Sequence, residues 1–157
     1  MHSGKFILFF VFAILAVHVT AVFQDWYHAI WWMDILLHVA GGAWLALVFF
    51  YVADRYALQF WHMPPFIALI CMLGFVMLVG VGWEWFEYGF DYFIARDAFV
   101  WRAQLGLPDT MGDLLADFTG GLLVAGYGIL RMKAISKEST FCVRNRCEKC
   151  THVCTLC

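Results

Sequence analysis

Residues 34–53 read DILLHVAGGAWLALVFFYVA, and this stretch decides the fold. Apart from Asp34 and His38 near its start, it contains only apolar, aromatic and glycine residues. An α-helix rises about 1.5 Å per residue, so a helix of this length crosses the roughly 30 Å hydrocarbon layer of a membrane. The stretch therefore predicts a transmembrane helix that carries an acid and an imidazole near one end.

Three further stretches have the same character: residues 6–23, residues 66–83 with a helical continuation to about residue 93, and residues 113–130. The first is long for the apolar part of a signal peptide, which favours a retained helix over a cleaved one. The whole chain of 157 residues is 64% hydrophobic and 14% charged, whereas soluble domains carry about 25% charged residues. We therefore predict an all-α, polytopic membrane bundle of about four transmembrane helices over residues 1–135.

The charges exclude some functions and orient the bundle. A net charge of −2 provides no basic field for nucleic acid, so a nucleic-acid binder is excluded. With four spans, eight of the ten Lys and Arg residues fall on the side that holds both termini. The positive-inside rule then predicts a multi-pass protein of the bacterial cytoplasmic (inner) membrane with both termini in the cytoplasm.

Residues 136–157 form a polar, cysteine-rich tail on the predicted cytoplasmic side. Its spacing resembles a run of soft-metal ligands: Cys142, Cys147, Cys150, His152, Cys154 and Cys157. A structural zinc site usually brings its cysteine pairs from separated turns, and here three residues separate the two pairs. A disordered tail and a metal-binding tail both stay open.

The acidic residues gather at the opposite, predicted outer end of the bundle. Asp34 and His38 share one helix face, and Asp113 and Asp117 share another, because each pair is four residues apart. Glu84, Glu87 and Asp91 also follow helical spacing along one stripe. His38 and Asp117 each lie about 6 Å inside the end of their span. A charge at this depth is costly against lipid, so these faces should turn inward.

Clustered carboxylates repel one another, and a divalent cation would relieve that conflict. The predicted ligands are Asp34, His38, Glu84, Glu87, Asp113 and Asp117. His18, Asp91 and Asp109 would support them. An acid-rich set with one imidazole suits Zn, Mn, Fe, Mg or Ca, and the sequence does not choose among these ions.

Other interpretations of these residues stay open. Asp34 could cap the second helix, and Thr110 with Asp113 fits a capping box that opens the fourth. His38, Asp117, Glu87 and His18 could instead form a hydrogen-bond network between helices, or a relay for protons or ions.

The combined motifs resemble a known group of proteins. Asp34 and His38 open the second span, Glu84 and Glu87 close the third, and a run from Asp109 to Gly120 enters the fourth. Over about residues 5–131 the chain resembles the YjdF-like family of small, uncharacterised bacterial inner-membrane proteins, and more distantly VanZ-like proteins. The resemblance implies a compact helical membrane fold with acids and a histidine at one end. Such proteins often have more spans, so four spans indicate a short form or a homo-oligomer.

The leading functional hypothesis is a metal-dependent hydrolase or transferase that acts on a lipid or envelope precursor. Glu84 and Glu87 would be its catalytic residues, one of them as general base. Membrane lipids are the expected surroundings and the source of the substrate. The alternatives are an ion- or proton-coupled transporter, an ion-binding membrane protein, or a non-catalytic membrane partner.

Overall fold

The computed structural model describes residues 4–95 and 103–144, and its regular elements there are all helical. They are α1 (Gly4–Phe23), α2 (Trp26–Ala29), α3 (Met33–Tyr56), a 3-10 turn (Leu58–His62), α4 (Pro65–Phe90), a π-helical turn (Asp91–Ala95) and α5 (Leu107–Arg144). Helices α1, α3, α4 with its π turn, and α5 as far as Ile135 are long and apolar enough to cross a membrane. The predicted all-α bundle of about four spans is confirmed.

The fourth long helix begins earlier than the sequence indicated, at Leu107 rather than near Asp113. Gly106 has a φ of 120°, a conformation that glycine adopts without strain, and it turns the chain into the helix. Pro108 is tolerated in the first turn, where its missing N–H would have no helical partner. Asp113 therefore lies inside α5, and the predicted capping box at Thr110 and Asp113 is wrong.

Capping does not explain Asp34 either. Helix α3 begins at Met33 with Trp32 in the cap position, so Asp34 belongs to the first helical turn. There its carboxylate is favoured by the partial positive charge of the helix N-terminus.

Helix α3 is the centre of the bundle, and it packs most closely against α5. A Cβ atom on Gly42 would overlap the backbone carbonyl of Asp117, and one on Gly120 would overlap the carbonyl of Val39. The two backbones therefore touch, which is how small residues let helices associate in lipid. This crossing fixes Asp117 beside the first turns of α3.

Below the crossing the core is apolar and largely aromatic, with Phe50, Phe60, Trp61, Met72 and Val76 buried together. At its far end Arg131 of α5 pairs with Asp54 of α3 at 2.7 Å between Nη1 and Oδ1. The same guanidinium lies 4.2 Å from the centre of the Trp61 ring. This contact joins α3, α5 and the 3-10 turn at the end of the bundle away from the acids.

The outer surfaces of the helices remain apolar. Phe9 of α1, Leu78 of α4 and Leu123 of α5 are 71%, 72% and 70% exposed. Helix α5 continues to Arg144, through the expected start of the tail at residue 136. The cysteines from Cys147 onward lie outside the described residues, as do Arg96 and Arg102.

Candidate metal site

The acidic end of the bundle is the end at which α1 and α4 finish and α3 and α5 begin. Five ionisable side chains meet there with almost no exposed surface: His38 is 7% exposed, Glu84 4%, Glu87 8%, Asp113 3% and Asp117 5%. The basic side chains Lys5, Arg55 and Arg131 belong to the opposite ends of their helices. The acidic end therefore contains several carboxyl groups, and these cations lie at the other end of the bundle.

His38 stands at the centre of this group, and its two ring nitrogens face different partners. Its Nε2 atom lies 3.8 Å from Asp34 Oδ1 and 3.9 Å from Asp113 Oδ1. Its Nδ1 atom lies 3.4 Å from Asp117 Oδ1. Asp34 lies one helical turn before His38 on the same face of α3. The α3–α5 crossing brings Asp113 and Asp117 of α5 to the same ring.

One nitrogen and two oxygens therefore converge. Ligand atoms of Asp34, His38 and Asp113 all lie within 4.8 Å of one another. Separations of 3.8 and 3.9 Å are too long for hydrogen bonds. Two ligands of one cation, each about 2.0–2.2 Å from it, are separated by roughly 3–4 Å. The set fits a small cation bound between α3 and α5.

Asp117 occupies a slot made by glycines. A Cβ atom on Gly80 of α4 would lie 2.5 Å from Asp117 Oδ2, and one on Gly41 of α3 would lie 3.9 Å from Oδ1. The absence of a side chain at Gly80 therefore leaves the space that the Asp117 carboxylate fills. Asp117 faces the Nδ1 side of His38, away from the other two acids.

The two glutamates of α4 lie beside this cluster and outside the group of three ligand atoms. Glu87 accepts a hydrogen bond of 2.8 Å from the Trp83 indole at Oε1. Glu84 Oε2 lies 3.5 Å from the amide nitrogen of Gln104, whereas Glu84 Oε1 is buried with no hydrogen-bond partner among the described residues. Asp113 Oδ2 is likewise buried and unpartnered in that part of the chain.

Asp91 and Asp109 organise the connection between α4 and α5. The Asp91 carboxylate accepts hydrogen bonds from the backbone N–H groups of Ala103 and Gln104, at 2.8 and 3.0 Å. Asp109 accepts one from Leu105 N–H at 2.9 Å. Both carboxylates accept hydrogen bonds from backbone N–H groups of the connection. They therefore help to hold Gln104, whose side chain faces Glu84.

His18 reaches the site from α1. Its Nδ1 atom lies 2.6 Å from the Tyr27 hydroxyl. Its ring packs edge-on against the Trp83 ring, with 6.4 Å between the ring centroids. Burial, followed by the charges of Asp34 and Glu87, raises the pKa of Tyr27, so the phenol stays protonated. We call His18, Tyr27 and Trp83 the aromatic bridge, because they join α1, α2 and α4.

A cleft of about 220 Å³ lies beside the cluster, between α1 and α4, with α3 as its floor. Asp34, His38, Glu87 and Asp117 line its polar end, and apolar side chains line most of the rest. The site is therefore continuous with an apolar space inside the membrane-spanning part of the bundle.

Three residues of the site were missed by sequence reasoning. Trp83, Tyr27 and Gln104 were not singled out as site residues. Gln104 donates to Thr110 Oγ1 at 2.9 Å as well as facing Glu84. Its position six residues before Thr110 is not a motif, so nothing in the sequence indicated it.

Residues 2–134 match the family described as "Predicted membrane protein (DUF2238)", and the chain belongs to that family. The match confirms the expected membrane-protein family, while the YjdF-like and VanZ-like identifications stay predictions. No curated protein and no solved structure matches the chain.

Proposed function

We propose that this member of the DUF2238 membrane-protein family binds one divalent cation between Asp34, His38 and Asp113. The observation that carries the proposal is the convergence of their three ligand atoms within 4.8 Å, on two helices whose backbones touch. Two carboxylate oxygens and one imidazole nitrogen suit Mn, Fe or Zn better than a soft metal. Mg and Ca, which prefer oxygen ligands alone, are less suited.

Electrostatics gives an independent reason for a cation. Asp113, Asp117 and Glu84 are nearly inaccessible, and one oxygen on each of Asp113 and Glu84 has no partner among the described residues. A buried, unpartnered carboxylate oxygen costs about 1–3 kcal/mol or more. A cation next to Asp113 would compensate part of this cost and reduce the repulsion among the acids.

The two faces of His38 suggest how the site would be held. If Asp117 accepts a hydrogen bond from the Nδ1–H group, the lone pair of Nε2 points between Asp34 and Asp113. A carboxylate behind a metal-bound imidazole fixes its tautomer and orientation in many metal sites. Asp117 would then position His38 rather than bind the ion itself.

The proposed reaction class depends on the proposed cation. A bound cation would supply Lewis-acid chemistry and activate water. Glu84, whose Oε1 is free of hydrogen bonds in the described residues, is a candidate general base. We propose hydrolysis or group transfer on a lipid or envelope precursor, with the acidic end on the outer side of the bacterial cytoplasmic membrane.

The packing argues against the transporter alternative. A conduit needs a polar path along the whole bundle, but the contact of the α3 and α5 backbones closes the space below His38 and Asp117. Beneath it lie Ala46, Phe50 and Val76, all buried and apolar. These contacts favour a site that opens at one end.

Manganese binding tests the proposal, because Mn²⁺ prefers oxygen and nitrogen ligands to the thiolates of the cysteine-rich tail. The full-length protein in detergent should bind one Mn²⁺ per chain, measured by equilibrium dialysis. Asp113→Asn should lower the affinity at least about tenfold, because it removes an anionic ligand. Asp25→Asn is the matched control, since Asp25 is exposed and has a φ of 57° that asparagine tolerates. Equal binding by the two variants would contradict the proposal.

A further inference from the structure

The cleft between α1 and α4 has a shape and polarity that ion binding alone does not explain. Its polar end adjoins His38, but its walls are apolar. They consist of Val11, Ile14 and Leu15 of α1, Leu37, Trp44 and Leu45 of α3, and Val79 and Trp83 of α4. A site for an ion needs no apolar extension along three helices. The combination of one polar end and an apolar channel is typical of a site for an amphiphile.

Two contacts determine where the cleft is closed. At the acidic end the aromatic bridge joins α1 to α4 through the His18 and Trp83 rings. Farther along, the Trp44 indole donates a 2.9 Å hydrogen bond to the Ile7 carbonyl and holds α1 to α3. The main contacts of α1 are with α2 and α3 rather than with α4. The cleft therefore opens sideways between α1 and α4, where the bilayer would lie.

The volume limits the occupant. A cleft of about 220 Å³ exceeds the roughly 150 Å³ of an apolar cavity that holds benzene. It is smaller than the roughly 300 Å³ at which pockets for drug-sized ligands begin. Such a volume suits a segment of one hydrocarbon chain.

We propose that the cleft binds one acyl chain of a membrane phospholipid, with the polar end of that lipid next to His38. The inference deepens the proposed function and rests on it for the head group, because a phosphate is attracted to this acidic end only when a cation is bound there. The chain itself is recognised by the apolar walls. The substrate class that follows is a membrane phospholipid, reached from within the bilayer.

Filling the cleft from either wall tests this inference. Ile14→Trp and Val79→Trp place a large ring in it, while Leu8→Trp and Leu78→Trp are matched controls on exposed faces of the same two helices. The probe is dioleoylphosphatidylglycerol added to the delipidated full-length protein, with bound lipid counted by native mass spectrometry. The wild type and both controls should retain one lipid per chain, and both cleft variants should bind it at least about tenfold more weakly.

A second measurement uses the unmodified chain. Phosphatidylglycerol with a diazirine on its chain should label the α1 segment from Val11 to Leu15 saturably. Equal lipid retention by cleft and control variants, or labelling that does not saturate, would overturn the inference. Manganese binding by the same wild-type preparation separates the two proposals: lipid retention without Mn²⁺ binding contradicts only the ion site, and the reverse contradicts only the chain site.

Discussion

His38 is the residue on which the candidate site depends, because its ring faces Asp34, Asp113 and Asp117. Its Nε2 atom faces Asp34 and Asp113, and its Nδ1 atom faces Asp117. Helical spacing from the sequence already placed Asp34 and His38 on one face and the two aspartates on another. The division of the acids between the two nitrogens depends on the helix crossing, and no spacing within one helix contains that information.

Because they face different nitrogens of His38, Asp113 and Asp117 of α5 have different proposed roles. Replacing Asp117 by asparagine should weaken Mn²⁺ binding by about 10–100-fold, as for other residues that orient a metal-bound histidine. Asp113→Asn should weaken binding more, because it replaces an anionic ligand by a neutral amide. Titration of both full-length variants with Mn²⁺ gives the comparison. If Asp117→Asn is the more damaging change, Asp117 is itself a ligand and the assignment of the ring nitrogens is wrong.

Among the helices, α4 contributes to the site through the absence of a side chain at Gly80. Gly80 leaves room for the Asp117 carboxylate, whereas a Cβ atom on Gly82 or Gly74 of the same helix would meet nothing within 4 Å. The sequence does not distinguish among these three glycines. Which of the three faces α5 depends on how α4 is rotated, and its nearly uniform apolar composition gives little indication of that rotation.

This contrast predicts different results from one substitution at two positions. Gly80→Ala should displace Asp117, lower the thermal midpoint and weaken Mn²⁺ binding, because overpacking costs about 1–3 kcal/mol. Gly82→Ala should leave both unchanged or raise stability by up to about 1 kcal/mol through helix propensity. Thermal unfolding and Mn²⁺ titration of the pair measure this. Equal loss in both variants would mean that α4 does not place Gly80 against Asp117.

The four membrane spans agree with the sequence prediction, but the start of α5 does not. Long apolar runs located all four spans, because membrane thickness fixes their length. The start of α5 was missed by six residues, since Leu107 to Gly112 mixes polar and apolar residues without a clear pattern. Asp91 and Asp109 share the spacing of the site residues, but their carboxylates bind backbone of the α4–α5 connection.

For the molecule as a whole, the charge distribution predicts an orientation. The acidic cluster lies at one end of the bundle, and Lys5, Arg55, Arg131 and Lys133 lie toward the other. The positive-inside rule therefore predicts that both termini are in the cytoplasm. A reporter fused after Lys133 should be active only as a cytoplasmic reporter, and one inserted within residues 96–102 only as a periplasmic one. The opposite pattern would move the acidic site to the cytoplasmic side.

The central claim is that one cation is bound by the imidazole of His38 together with carboxylates. Pulsed electron paramagnetic resonance of the Mn²⁺-loaded, full-length protein tests it most directly, because a bound imidazole nitrogen couples to the manganese spin. We expect the coupling of one directly bound ¹⁴N nucleus, lost in His38→Gln and kept in the control His28→Gln, whose site is exposed and pairs with Asp25. A spectrum without nitrogen coupling, or one that His38→Gln leaves unchanged, would contradict the account.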